Sequence, residues 1–164
     1  MGIRKILKKG DLSLRKTSRP VTEYNARLQI LLNDMRDTLV EANGLGLAAP
    51  QVGVLRRAVL VADISGEEPV YYEFVNPEIV AQEGEQIGPE GCLSLPNIWG
   101  LVTRPEKVTV QAFDRYGVPF TLEAEGLLAR ACCHEIDHLN GILFDSIADR
   151  FLSEEEVEAM SEEA

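Results

Sequence analysis

The stretch Gly126-Leu127-Leu128-Ala129-Arg130-Ala131-Cys132-Cys133-His134-Glu135-Ile136-Asp137-His138-Leu139-Asn140 decides the reading of this chain. It reads as a helix, and Gly141 closes it in the way glycine does just past a helix end. Both histidines of the chain lie inside it, at 134 and 138. On a helix, residues four apart are offset by about 40° and one turn, so the two imidazoles face the same way. Two neutral imidazoles so placed can bind one divalent metal ion, and Glu135 between them can lie beside a water at that ion as its proton acceptor.

Outward from this helix the pattern is mixed. A second helix is expected from Glu23 to Ala42, with Thr22 as N-cap. Leu28, Leu31, Leu32, Met35 and Leu39 form its apolar stripe, and Asn43-Gly44 ends it. Arg57–Asp63 and Val70–Val75 read as strands, the first apolar throughout and so buried on both faces. Lys107–Asp114 alternates, Arg115-Tyr116-Gly117 supplies a turn, and Val118, Phe120 and Leu122 resume the alternation, which is a hairpin. An acidic helix is expected after Ser153, with Glu156 at capping-box spacing. There is no βα alternation, so the expectation is a single α+β domain over 1–164, its antiparallel or mixed sheets packed around the histidine helix.

The composition, 45 % hydrophobic and 26 % charged, is that of a globular chain, and 164 residues can bury a substantial core. No run approaches the roughly 18 apolar residues of a membrane span, and no apolar signal-peptide core follows the basic N-terminus. The expectation is therefore a cytoplasmic protein with no membrane partner. The net charge of −11 argues against nonspecific binding to nucleic-acid phosphates, and no specific nucleic-acid binding is expected. The charge is uneven, with Lys5, Lys8, Lys9, Arg15, Lys16 and Arg19 near the start and a glutamate-rich tail. Three cysteines without a secretory context argue for a metal or catalytic role rather than disulfides.

A catalytic zinc-type site needs three protein ligands and an open position. Carboxylates are plentiful enough to supply the third. Cys92, in the loop-like string Glu90-Gly91-Cys92-Leu93-Ser94-Leu95-Pro96, competes as a strong thiolate ligand. Gly91 allows close backbone approach there, and the Leu93 amide is free to point at a reacting oxygen. A further string, Gly44-Leu45-Gly46-Leu47-Ala48-Ala49-Pro50-Gln51-Val52-Gly53, follows a helix and precedes a strand, the reverse of a dinucleotide-binding turn. Its small residues suit a segment against which another extended chain can lie. Gln51, its only polar side chain, can donate to a developing oxyanion.

Taken in order and spacing, the strings 44–51, 90–95 and 134–139 resemble the three signature motifs of peptide deformylases, and the resemblance covers nearly the whole chain. It implies removal of the N-formyl group from the N-terminal methionine of new polypeptides, with release of formate. It implies Cys92, His134 and His138 as metal ligands, Glu135 as general base and then acid, and Gln51 with the Leu93 amide as stabilisers of the tetrahedral intermediate. The substrate would pair in extended form beside Leu45 and Gly46 on one side and Gly91 on the other, with Leu45 and Leu127 in the methionine pocket. A His₂Cys set by itself suggests zinc. The resemblance implies Fe2+ as the native ion, with Ni2+ or Co2+ able to substitute and Zn2+ usually poorer. It also implies N-formylmethionyl nascent peptides as substrate, and the ribosome as a partner. Cys133 departs from the glutamine common at its position and reads as a packing substitution. Glu90 is retained as a partner of the ligands, while Asp137 and Arg104 read equally well as ordinary ion pairing. A zinc endopeptidase would usually take Glu or His as third ligand, and an inactive relative would have lost Glu135, Gln51 or a ligand.

Overall fold

Five consecutive apolar residues, Ala58 to Ala62, run through the centre of the structure, a computed structural model that describes residues 2–163. They belong to β2 (Ala58–Asp63), and because strand side chains alternate, they face two layers. Val59 and Val61 point to one core and Ala58 and Leu60 to the other. The sheet has the order β1 (Gly46–Ala48), β2, β3 (Val70–Glu83), β6 (Lys107–Phe113), β7 (Pro119–Glu125), all neighbours antiparallel. On one face lies α1 (Ala26–Ala42), burying Leu28, Leu31, Leu32, Met35 and Leu39 against Leu47, Leu60 and Val75. On the other lies α2 (Gly126–Leu139), whose Ala129, Cys132, Ile136 and Leu139 pack on Val59, Val61, Phe74 and Val110.

A second sheet, β4 (Gln86–Cys92), β5 (Leu95–Arg104) and the short β8 (Arg150–Phe151), closes over the open side of α2. Its own core is Leu14, Leu95, Val102, Leu143 and Phe144. Helix α2 therefore sits between two sheets, as the sequence leads one to expect, and α3 (Glu154–Glu163) follows. Ser153 and Glu156 cap that last helix reciprocally, Glu156 N to Ser153 Oγ at 3.2 Å and Ser153 N to Glu156 Oε1 at 3.1 Å.

Three expectations need correction. Helix α1 starts later than Glu23, and its cap is Asn25 rather than Thr22: the Asn25 side chain accepts from Leu28 N at 3.2 Å. The strand expected to stop at Val75 continues to Glu83, because Asn76 adopts φ 51 and the register shifts there before the ladder with β6 resumes. The string holding Cys92 is no loop but the end of a strand. Leu93 and Ser94 make a tight turn between β4 and β5, and Cys92 pairs with Leu95.

Candidate metal centre

The β4/β5 turn and the buried face of α2 meet end to end. His134 and His138, four residues apart on α2, set their rings 5.1 Å apart between centroids. Cys92 Sγ lies 3.4 Å from His138 Nε2. One donor atom from each of Cys92, His134 and His138 falls within 4.8 Å of the others, the three residues expected as ligands. A turn after α2 holds the second histidine's end of the helix: Gly141, at φ 73, donates to the His138 carbonyl at 3.1 Å, and Ile142 to that of Asp137 at 3.0 Å.

A soft thiolate and two imidazoles suit a divalent transition metal, and the hydrogen bonds around them fit one. His134 Nδ1 lies 2.8 Å from Glu90 Oε1. Burial pushes the Glu90 carboxyl up, but hydrogen bonds and charge from Arg104 and His134 outweigh it and hold Glu90 far below the usual carboxylate range. An ionised Glu90 can only accept, so His134 Nδ1 carries the proton and Nε2 is left to bind an ion. Burial lowers His138 well below its ordinary value and nearby cations push the same way, which keeps it neutral. Burial would also lower His134, but the charge of Glu135 and hydrogen bonds with Cys92 and Glu90 prevail and raise it well above the ordinary value. The negative groups crowded on His134 call for a cation, and a metal ion at Nε2 answers that demand as a second proton would.

Glu90 itself is held by more than the sequence suggested. Arg104 donates to it twice, from Nε and Nη2 at 2.8 Å each, and Arg130 Nη1 donates at 2.7 Å. Arg104 Nη1 continues to Asp137 at 2.6 Å. Arg104 and Asp137 thus join the ligand support. Arg130, one helical turn before His134, belongs to none of the three motif strings. A lone arginine on the helix face that bears the histidines was the available signal.

Glu135 is buried beside the cluster, Oε2 4.0 Å from His134 Nε2, with Oε1 making no hydrogen bond. Burial is the main cause that pushes its pKa up to about 7. Gln51, 1 % exposed, is fixed at both ends: Oε1 accepts from Ala48 N at 2.9 Å, and Nε2 donates to Ser94 Oγ at 3.1 Å and Cys92 Sγ at 3.6 Å. The Leu93 amide, in the turn, donates to no other group among the described residues. Cys133 is buried in the core between α2 and the large sheet, outside the ligand cluster, as a packing residue should be.

These groups open onto a cleft of about 330 Å³. Leu45, Gly46, Gln51, Gly91, Cys92, Leu93, Leu127, His134 and Glu135 all line it. His138, fully buried, lies behind them. Trp99, outside the three motif strings, completes one wall.

Residues 3–152 match the family model described as polypeptide deformylase. The chain is 60 % identical over 158 residues to the peptide deformylase of Caldicellulosiruptor bescii, covering 96 % of this chain and 93 % of that one. It is 46 % identical to peptide deformylase 1 of Bacillus subtilis, covering 98 % and 99 %. The crystal structure of a peptide deformylase from Legionella pneumophila superposes with a TM-score of 0.85 at 47 % identity, covering 98 % of this chain and 92 % of that one. A Met-Ala-Ser-bound peptide deformylase from Acinetobacter baumannii superposes at 0.84 and 35 % identity, covering 88 % and 98 %.

Proposed function

Since the chain belongs to the peptide deformylase family, hydrolases that remove the N-formyl group from nascent peptides, we propose how its own residues divide that work. Cys92, His134 and His138 hold the metal ion, Glu135 moves the proton, and Gln51 with the Leu93 amide receives the developing charge. The observation that carries this reading is the convergence of three donor atoms within 4.8 Å, beside a buried carboxylate, at the wall of one cleft.

A divalent ion bound there supplies Lewis acidity and lowers the pKa of water. Glu135, a buried carboxylate beside the ligands, is placed both to take a proton from the attacking water and to return it to the leaving amine. As water adds to the formyl carbon, the carbonyl oxygen becomes anionic, and the Gln51 Nε2 and Leu93 N–H donors stabilise it. Collapse breaks the C–N bond and yields formate and a free methionine amine. The substrate lies extended between Gly46 of β1 and Gly91 of β4. Its methionine side chain meets Leu45 and Leu127, 37 % and 48 % exposed at the mouth of the cleft. The Acinetobacter relative that binds Met-Ala-Ser supports a site made for a peptide with an N-terminal methionine.

The native ion in this reading is Fe2+, with Ni2+, Co2+ or Zn2+ able to substitute. Residues 1–164 act as one catalytic domain in the cytoplasm, with the ribosome as partner because the substrate emerges there. No helix among the described residues is long and apolar enough to cross a membrane. The test is formate release from a formyl-methionyl tripeptide by protein loaded anaerobically with ferrous iron, with Glu135→Ala as control. Release by the parent chain alone is expected, and equal release by both would overturn the role of Glu135.

A further inference from the structure

The chemistry rests on three separate stretches, 44–53, 90–95 and 134–139, and one segment that carries none of it is bonded to all three. The Leu7 amide donates to the Gln51 carbonyl at 2.7 Å, the Lys9 amide to the Ser94 carbonyl at 2.9 Å, and the Ser18 amide to the Leu139 carbonyl at 2.8 Å. Lys8 Nζ adds a bond to the Leu93 carbonyl at 3.0 Å. Between these points Leu14 is buried against Leu95, Leu143 and Phe144. Where the segment passes the end of α2, a β-carbon at Gly141 would stand 2.4 Å from the Arg15 carbonyl oxygen, so only glycine lets the two backbones meet.

From this we propose that residues 7–18 form a positioning clasp that sets Gln51 and Leu93 in register with His138. Gln51 sits in a short 3₁₀ turn and Leu93 in a two-residue turn, elements with few hydrogen bonds of their own. Donors to a developing oxyanion act only when held in place beforehand. Segments without regular structure stay mobile unless tied down, and here the ties run to the two donor-bearing turns. The clasp rests on the reading of Gln51 and Leu93 as those donors.

Lys9→Pro and Leu7→Pro each delete one N–H, whereas Lys9→Ala keeps it. In metal-loaded protein, each proline variant is expected to lose ~10-fold or more in kcat, since small misplacement of catalytic groups is costly. KM and metal content stay at the parent values, and Lys9→Ala keeps the parent kcat. Parent-like kcat in folded proline variants would overturn the clasp. Gln51→Ala separates the two ideas: full activity there sinks the donor reading itself, while a loss there beside intact Lys9→Pro sinks only the clasp. Should the proline variants fail to fold, hydrogen exchange on the parent decides. The Leu7, Lys9 and Ser18 amides are expected to exchange slowly and as a set, and exchange at the rate of unprotected amides in active enzyme would overturn the inference.

Discussion

The backbone of Gly46 lies so close to the Glu135 carboxylate that a β-carbon at position 46 would stand 2.5 Å from Oε2 and 2.7 Å from Cγ. The edge strand proposed to receive the substrate is thus also the surface against which the buried Glu135 carboxylate rests. Gly46→Ala must push Glu135 aside, and displaced general bases lose ~10²-fold or more in rate. The three atoms nearest that carbon all belong to Glu135 and none to the proposed ligands, so metal content is expected to match the parent while kcat falls. Metal analysis beside steady-state kinetics checks it, and loss of metal would show that the strain passes on to His134.

Glu135→Gln removes the proposed base and keeps the shape. It is expected to retain metal and to lose on the order of 10²-fold in kcat. The Gly46→Ala and Glu135→Gln losses should not multiply in the double variant, because both act on one group. A double variant slower than either single one by the full product would separate the two residues.

The Glu90 network makes a stability prediction with a definite sign. Glu90 is held below its ordinary value of 4.5 in the folded chain, so its contribution is complete above that value and is lost as pH falls towards the folded pKa. Glu90→Gln leaves Arg130 buried without a carboxylate and Arg104 with Asp137 alone, a loss of ~3–5 kcal/mol by analogy with other broken buried pairs. The gap in unfolding free energy between parent and variant is expected to be widest near neutral pH and to narrow below the ordinary carboxylate range. Urea titrations at several pH values measure it, and a gap that does not vary with pH would remove Glu90 ionisation as the cause.

What the sequence made legible follows from how local each feature is. The His134–His138 pair is set by helical spacing alone, and the apolar run at 58–62 announces a strand buried on both faces. The β4/β5 hairpin was not legible, because Gly88, Pro89, Gly91, Pro96 and Gly100 break the strand pattern in both arms. The clamp on Glu90 was equally hidden. Arg104 lies 14 residues from Glu90 in sequence and Arg130 lies 40, and only the closing of the second sheet over α2 brings them together. The basic start of the chain gave charge as its only sign, yet its bonds to the motifs run mostly through backbone amides, which carry no sequence signature.

Thiol chemistry separates the three cysteines. Burial pushes the Cys132 and Cys133 thiols up to about 12 and about 11, so both stay protonated and unreactive at pH 8. Cys92 is only half-buried at the cleft wall. With a metal ion on the sulfur, alkylation is blocked, and chelation frees it. Iodoacetamide is expected to add one group, at Cys92, after chelation, and none before it. Peptide mapping by mass spectrometry reads this directly, and equal labelling of Cys92 with and without chelator would remove it from the ligand set.

Trp99 offers a view of the substrate groove, because it is the chain's single tryptophan and its ring is packed on Gly91. A β-carbon at 91 would lie 2.9 Å from two ring carbons, too close for either to stay in place. Trp99 is 37 % exposed, so its ring can swing outward more easily than the β4 backbone can move. Gly91→Ala is therefore expected to shift the emission maximum to longer wavelength as the ring meets water. If the peptide pairs with this backbone, the same change raises KM by ~10-fold, the scale of one lost contact worth about 1.4 kcal/mol, while kcat falls far less. Emission and kinetics measured on one preparation link the two effects. A red-shifted variant with unchanged KM would place the substrate away from Gly91.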